Sequence, residues 1–197
     1  MPRFAIVSTV VLALMLLATS PADAKKAKAP KVEIKTSMGL IVVKLYPKKA
    51  PISVENFLQY VEDGFFEGTI FHRVIDGFMI QGGGLTPDMK KKKTRPPIKL
   101  EAGNGLTNKR GFLAMARTGD PDSATAQFFI NLVDNARLDS YGGGYAVFGK
   151  VTKGMDIVDK IKSAKTGTKE GRPNVPLEPI FIESVTVVRK KAKKAKK

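Results

Sequence analysis

The chain has 197 residues, 34 of them Lys or Arg against 18 Asp or Glu, for a formal net charge of +16, and 43% of its residues are hydrophobic. Those fractions suit one globular domain with a substantial core and short extensions. Cysteine is absent, which excludes a disulfide framework, a thiolate nucleophile and a zinc–thiolate centre.

At the N-terminus, Arg3 precedes an apolar run from Phe4 to Ala18, followed by Ser20, Pro21 and the small-residue site Ala22, Asp23, Ala24. This pattern predicts a secretory signal peptide over 1–24, cleaved before Lys25. The run is shorter than the roughly 20 residues that span a bilayer. Export is therefore expected, to the periplasm if the cell is Gram-negative. Residues 25–31 form a basic linker with Lys25, Lys26, Lys28 and Lys31, and the tail from Arg189 to Lys197 reads RKKAKKAKK. Both ends are expected to be disordered, because like charges repel and lysine with alanine offers little to bury. The domain between them, 32–188, is only mildly basic.

Within that domain, VEIKTSMGLIVVKLYP predicts two strands joined by a tight turn near Ser37, Met38 and Gly39. Pro51 opens a helix, where its missing amide donor is harmless. Val54, Phe57, Leu58 and Val61 recur at helical spacing as its buried face, and Gly64 stops it. Short β segments broken by glycine follow: FEGTIFHRVI, MIQGGG, GFLAMAR, QFFINLV and YAVFGKV. Such a series predicts a closed or nearly closed antiparallel sheet. Between them, Leu85 to Gly105 reads as a surface loop, with four consecutive lysines and the pair Pro96, Pro97. A second helix is predicted from Met155 to Ile161, and PIFIESVTVV supplies a closing strand.

Two stretches carry the candidate chemistry. FHRVIDGFMIQGGG, from Phe71 to Gly84, combines the charged fork of Arg73, the apolar pair Phe78 and Met79, and the amide of Gln81. GFLAMARTGDPDSATAQFFIN, from Gly111 to Asn131, offers Ala116, Gln127 and Phe129. With YAVFGKV as a third block, their order and spacing resemble the cyclophilins, a family of peptidyl-prolyl cis-trans isomerases, over about Val32 to Val188. The resemblance implies a mainly β fold, a closed eight-stranded antiparallel barrel capped by two α-helices. It implies an isomerase acting on proline-containing unfolded or extended polypeptides, during the folding of exported proteins, with Arg73 catalytic. Phe78, Met79, Phe129 and Leu138 match the family's proline pocket. Gln81 would hydrogen-bond substrate and brace Arg73, Ala116 and Arg117 would edge the substrate chain, the latter mainly through its backbone, and Gln127 would support the pocket.

Two positions depart from the family's best-known members. Arg137, before Leu138, stands where cyclosporin-sensitive members carry tryptophan, which implies weak cyclosporin binding and a preference for acidic substrates. Tyr145 stands where many have histidine, and would cover that side of the pocket with a neutral phenol. No cofactor and no metal is expected, since rotation about an amide breaks no covalent bond. His72, the sole histidine, reads as a packed residue rather than a general base, and Asp120, Asp122, Asp134 and Asp139 as turn residues. A monomer is expected. Two alternatives stand beside the enzyme: a non-catalytic module that binds proline peptides, and a basic tail that tethers the protein to an anionic envelope surface. Nucleic acid is not expected as a partner of an exported chain.

Overall fold

The computed structural model describes residues 29–188. The expected signal peptide, most of the basic linker and the Lys-rich tail lie outside them. The predicted hairpin is β1 (Lys31–Thr36) and β2 (Gly39–Leu45), and β1 begins one residue before the expected domain boundary. Alternation does the folding here: Val32, Ile34, Ile41, Val43 and Leu45 are fully buried while their neighbours face outward.

Helix α1 (Pro51–Glu62) starts at the proline, and no side chain of the preceding Ala50 caps it. The Glu101 carboxylate does so instead, accepting from the amides of Ile52 at 3.0 Å and Ser53 at 2.7 Å. An anion at this end also favours the helix dipole. Leu58, expected on the buried face, is half-buried, and Tyr60 takes the enclosed place. Polar anchors rotate the helix this way: the Tyr60 hydroxyl accepts from the Arg95 amide at 2.8 Å, and Asn56 Nδ2 donates to the Thr125 carbonyl at 2.6 Å. Phe57 then packs on Phe66, Phe148 and Phe128 with ring centroids 5.1, 5.3 and 5.6 Å away.

The remaining elements are β3 (Thr69–Ile75), β4 (Met79–Gly82), β5 (Phe112–Met115), β6 (Phe128–Asn131), β7 (Val147–Lys153), α2 (Met155–Lys162), β8 (Thr166–Lys169), β9 (Arg172–Pro176) and β10 (Phe181–Val187). Eight strands close in the order β1-β10-β3-β4-β6-β5-β7-β2, with β2 returning to β1, and every pairing is antiparallel. This is the expected eight-stranded barrel with two helices. Val158 and Ile161 of α2 enter the same buried cluster as Val54 and Phe57 of α1.

Two features depart from expectation. β8 and β9 form a separate hairpin that was not among the expected elements. The stretch after Leu85 is not wholly superficial either: Leu85 and Met89 are buried with Ile70 and with Val175 of that hairpin.

Four strands are covered on both faces. Ile80, Leu113, Met115, Phe128, Ile130 and Phe148 point into the main core. Met79, Ala114, Phe129 and Val147, alternating with them, form a second apolar cluster on the opposite face. All four residues of β6 are consequently buried. This second cluster is the floor of the candidate site.

Candidate active site

The site is a row of residues laid across the sheet by register. Arg73 on β3 pairs with Gln81 on β4, Gln81 with Phe129 on β6, Phe129 with Ala114 on β5, and Ala114 with Val147 on β7. Directly opposed residues share a face, so strand pairing alone brings the guanidinium, the amide and the aromatic ring together. The β3–β4 reversal is tight because Gly77 adopts φ +71° and donates its amide to Asp76 Oδ1 at 2.7 Å.

A cavity of ≈ 90 Å³ opens on this row, lined by Arg73, Phe78, Met79, Gln81, Ala116, Arg117, Phe129, Leu138 and Tyr145. Nine of the ten expected site residues thus meet in one hollow. The tenth, Gln127, lies in an adjoining cavity of ≈ 320 Å³ that shares Gln81, Ala116 and Arg117 with it. Gln127 still reaches the hollow indirectly: Gln81 Nε2 donates to its Oε1 at 2.9 Å, and Arg73 donates to Gln81 Oε1 at 3.5 Å. Among the described residues no carboxylate lies within ion-pair distance of Arg73. Its charge is exposed and locally uncompensated.

The far wall is built by side chains that the sequence reading did not single out. Asn135 Nδ2 donates to the Phe78 carbonyl at 2.9 Å and to Asn131 Oδ1 at 2.7 Å, and Asn131 donates to Asn108 Oδ1 at 3.2 Å. Asn108 donates twice to Asp139 Oδ1 at 2.8 Å, from its amide and its side chain. This amide chain fixes the 3-10 turn Ala136–Asp139, which carries Leu138, against β4. A signal existed in the sequence: Asn131 closes an apolar strand, and a buried amide there needs several partners.

Arg117 differs from expectation. Its side chain, not only its backbone, is engaged: the guanidinium donates to the carbonyls of Gly144 at 3.0 Å, Gly142 at 2.6 Å, Tyr141 at 3.2 Å and Thr118 at 2.9 Å. It also stacks 4.4 Å over the Tyr145 ring, which meets Phe129 edge-on at 5.7 Å. Arg117 therefore staples the 141–144 loop to the rim and steadies one wall.

His72, beside Arg73 on β3, is buried, and among the described residues its Nδ1 lacks a hydrogen-bond partner. Burial pushes its pKa down to about 4; hydrogen bonding to the Ile70 backbone offsets part of this, and the charges of Arg172 and Arg73 add to the lowering. It is neutral at physiological pH. Asp120, Asp122, Asp134 and Asp139 each accept loop amides. Among the described residues no three His, Asp or Glu side chains cluster as a metal site would require.

Fold and site together define a barrel that presents a fixed cationic donor at the rim of an apolar hollow. The family described as cyclophilin type peptidyl-prolyl cis-trans isomerase/CLD matches residues 31–187. Peptidyl-prolyl cis-trans isomerase A of Dickeya dadantii is 53% identical over 187 residues, covering 94% of this chain and 98% of that one. Peptidyl-prolyl cis-trans isomerase B of Escherichia coli is 57% identical over 161 residues, covering 79% and 98%. A Cryptosporidium parvum cyclophilin type peptidyl-prolyl cis-trans isomerase, solved in the presence of the dipeptide ala-pro, superposes with a TM-score of 0.71 at 27% identity, covering 81% of this chain and 99% of that one. The chain belongs to the cyclophilin-type peptidyl-prolyl cis-trans isomerases. It is an enzyme that acts on proline-containing peptides.

Proposed function

We propose that Arg73 is the catalytic group and that the hollow behind it takes the proline ring. Rotation about an Xaa-Pro bond meets a barrier of roughly 20 kcal/mol, because amide resonance is lost at the midpoint. In the twisted amide the prolyl nitrogen is pyramidal and carries a lone pair, so a guanidinium donor to it is strongest at the top of the barrier. Removing about 7 kcal/mol speeds the step roughly 100,000-fold. Arginine suits the task, being always charged and presenting a rigid fork.

Phe78, Met79, Phe129 and Leu138 grip the ring by apolar contact and leave the preceding carbonyl free to turn. Gln81, braced by Gln127, holds Arg73 and hydrogen-bonds substrate, and the chain before the proline lies along Ala116 and Arg117. One observation carries this reading: the Arg73 fork, tied to Gln81 and unpaired with any described carboxylate, stands at the rim of that apolar hollow. The test is prolyl-peptide isomerisation by the chain beginning at Lys25, beside its Arg73→Ala variant. The intact chain should exceed the spontaneous rate by orders of magnitude, and the variant should fall far below the intact chain. Equal rates would refute the assignment.

Export is part of the same proposal, supported by Arg3, the apolar run Phe4–Ala18 and the small residues before Lys25. In the periplasm of a Gram-negative cell the clients would be exported polypeptides during folding. The basic tail then tethers the enzyme to an anionic envelope surface by charge attraction. Deleting 189–197 should abolish salt-sensitive retention on anionic vesicles and spare the isomerase rate; unchanged retention would count against the tether.

A further inference from the structure

We propose that a groove beside the proline hollow, floored by Phe78, Leu138 and Tyr141 and flanked by Arg137, is a specificity subsite for substrates with a carboxylate side chain shortly after the proline. The groove has a volume of ≈ 380 Å³ and is lined by Phe78, Asn135, Arg137, Leu138 and Tyr141. It shares Phe78 and Leu138 with the hollow, and no lining residue with the cavity that shares Gln81 and Ala116. This inference rests on the reading given above, in which the chain before the proline follows Ala116 and Arg117. The chain after the proline then leaves across the wall formed by Phe78 and Leu138, into the groove.

Charge gives the groove its selectivity. The Arg137 guanidinium lies 4.9 Å over the Tyr141 ring, and no described carboxylate pairs with it. The nearest acids in sequence are occupied elsewhere: Asp139 Oδ1 accepts twice from Asn108, and Asp134 accepts from the Arg110 amide. A cation stacked on one face keeps its edge donors free, and a planar fork matches a carboxylate in two hydrogen bonds. The floor beneath is apolar and Tyr141 is 54% exposed, so the methylenes of a glutamate have a surface to cover.

The groove is also held in place before substrate arrives. Asn135 ties one side to the Phe78 carbonyl at 2.9 Å, and Arg117 holds the Tyr141 carbonyl at 3.2 Å and the Gly142 carbonyl at 2.6 Å on the other. Preorganisation lowers the cost of ordering the site on binding. Among the described residues the Arg137 side chain makes no hydrogen bond or ion pair, so substituting it alters the charge and leaves these ties standing.

The experiment uses three prolyl peptides that differ only at the second residue after proline: glutamate, glutamine or lysine. Both kcat/KM and affinity by NMR titration are measured for the wild type, Arg137→Gln and Arg137→Glu. In the wild type the glutamate peptide should be favoured over the glutamine peptide about two- to fivefold, the range for an exposed ion pair. The preference should vanish in Arg137→Gln, reverse toward lysine in Arg137→Glu, and collapse near 1 M salt, where the screening length is about 3 Å. An identical peptide order in all three proteins would overturn the subsite, whether read by turnover or by affinity. Absence of turnover of every peptide by the wild type, with the affinity order intact, would overturn the catalytic reading and leave the subsite standing.

Discussion

Replacing the sole histidine isolates one pH-dependent contribution to stability. His72 is 6% exposed, its Nδ1 has no partner, and burial lowers its pKa to about 4 from 6.5 in an open chain. Above pH 6.5 both folded and unfolded chains hold it neutral, and it contributes no pH dependence. As pH falls below 6.5 the unfolded chain takes up the proton and the folded one does not, so stability drops. By pH 5 the linkage relation gives a loss of about 2 kcal/mol, approaching roughly 3 kcal/mol below pH 4. The interval from pH 7.5 to 5 is the useful one, because ordinary carboxylates begin to titrate below it. Urea unfolding of the wild type and His72→Gln across that interval measures the effect. The wild type should lose about 2 kcal/mol more than the variant between pH 7.5 and 5. Parallel curves would refute the claim that a neutral imidazole is locked in the barrel wall.

Three further substitutions probe the architecture of the site. In Gly84→Ala the new Cβ would stand 2.4 Å from Gln127 Cγ; the displaced amide should release Gln81 and lower kcat about tenfold through misplacement of Arg73, and an unchanged kcat would show that the Gln127 brace is idle. Phe129→Ala removes a ring that is 4% exposed on the floor of the hollow, so chemical unfolding should report a loss of about 3 kcal/mol together with a raised KM. Asn131→Ala strips the partners of Asn135, Asn108 and the Phe112 carbonyl, which should cost about 2 kcal/mol and speed hydrogen exchange at the Leu138 and Tyr145 amides.

The parts of the fold governed by local physics were legible in the sequence. The β1–β2 hairpin follows from alternation around a glycine turn, α1 from Pro51 and its apolar spacing, and α2 from Met155, Val158 and Ile161. Long-range effects were not. Tyr60 displaced Leu58 from the inner face of α1 because of a hydrogen bond to Arg95, 35 residues away. The β8–β9 hairpin, which was not predicted, contains Pro173 and Pro176, residues that disfavour an interior strand; it persists outside the barrel, where they are tolerated. The site residues themselves stood out by their resemblance to a family. Their assembly into one cross-strand row depends on register between β3, β4, β6 and β5, which no single segment encodes. The amide chain from Asn135 to Asp139 escaped notice because scattered asparagines look like turn residues until their partners are known.

The central claim is that a planar guanidinium, rather than positive charge alone, stabilises the half-rotated amide. Arg73→Lys tests it most directly, with cis-trans exchange and affinity measured by NMR on one prolyl peptide. Losing one preorganised donor to the transition state should cut the exchange rate by roughly 100-fold or more while peptide affinity stays within a few-fold of the wild type. A lysine variant that turns peptide over at the wild-type rate would contradict the account.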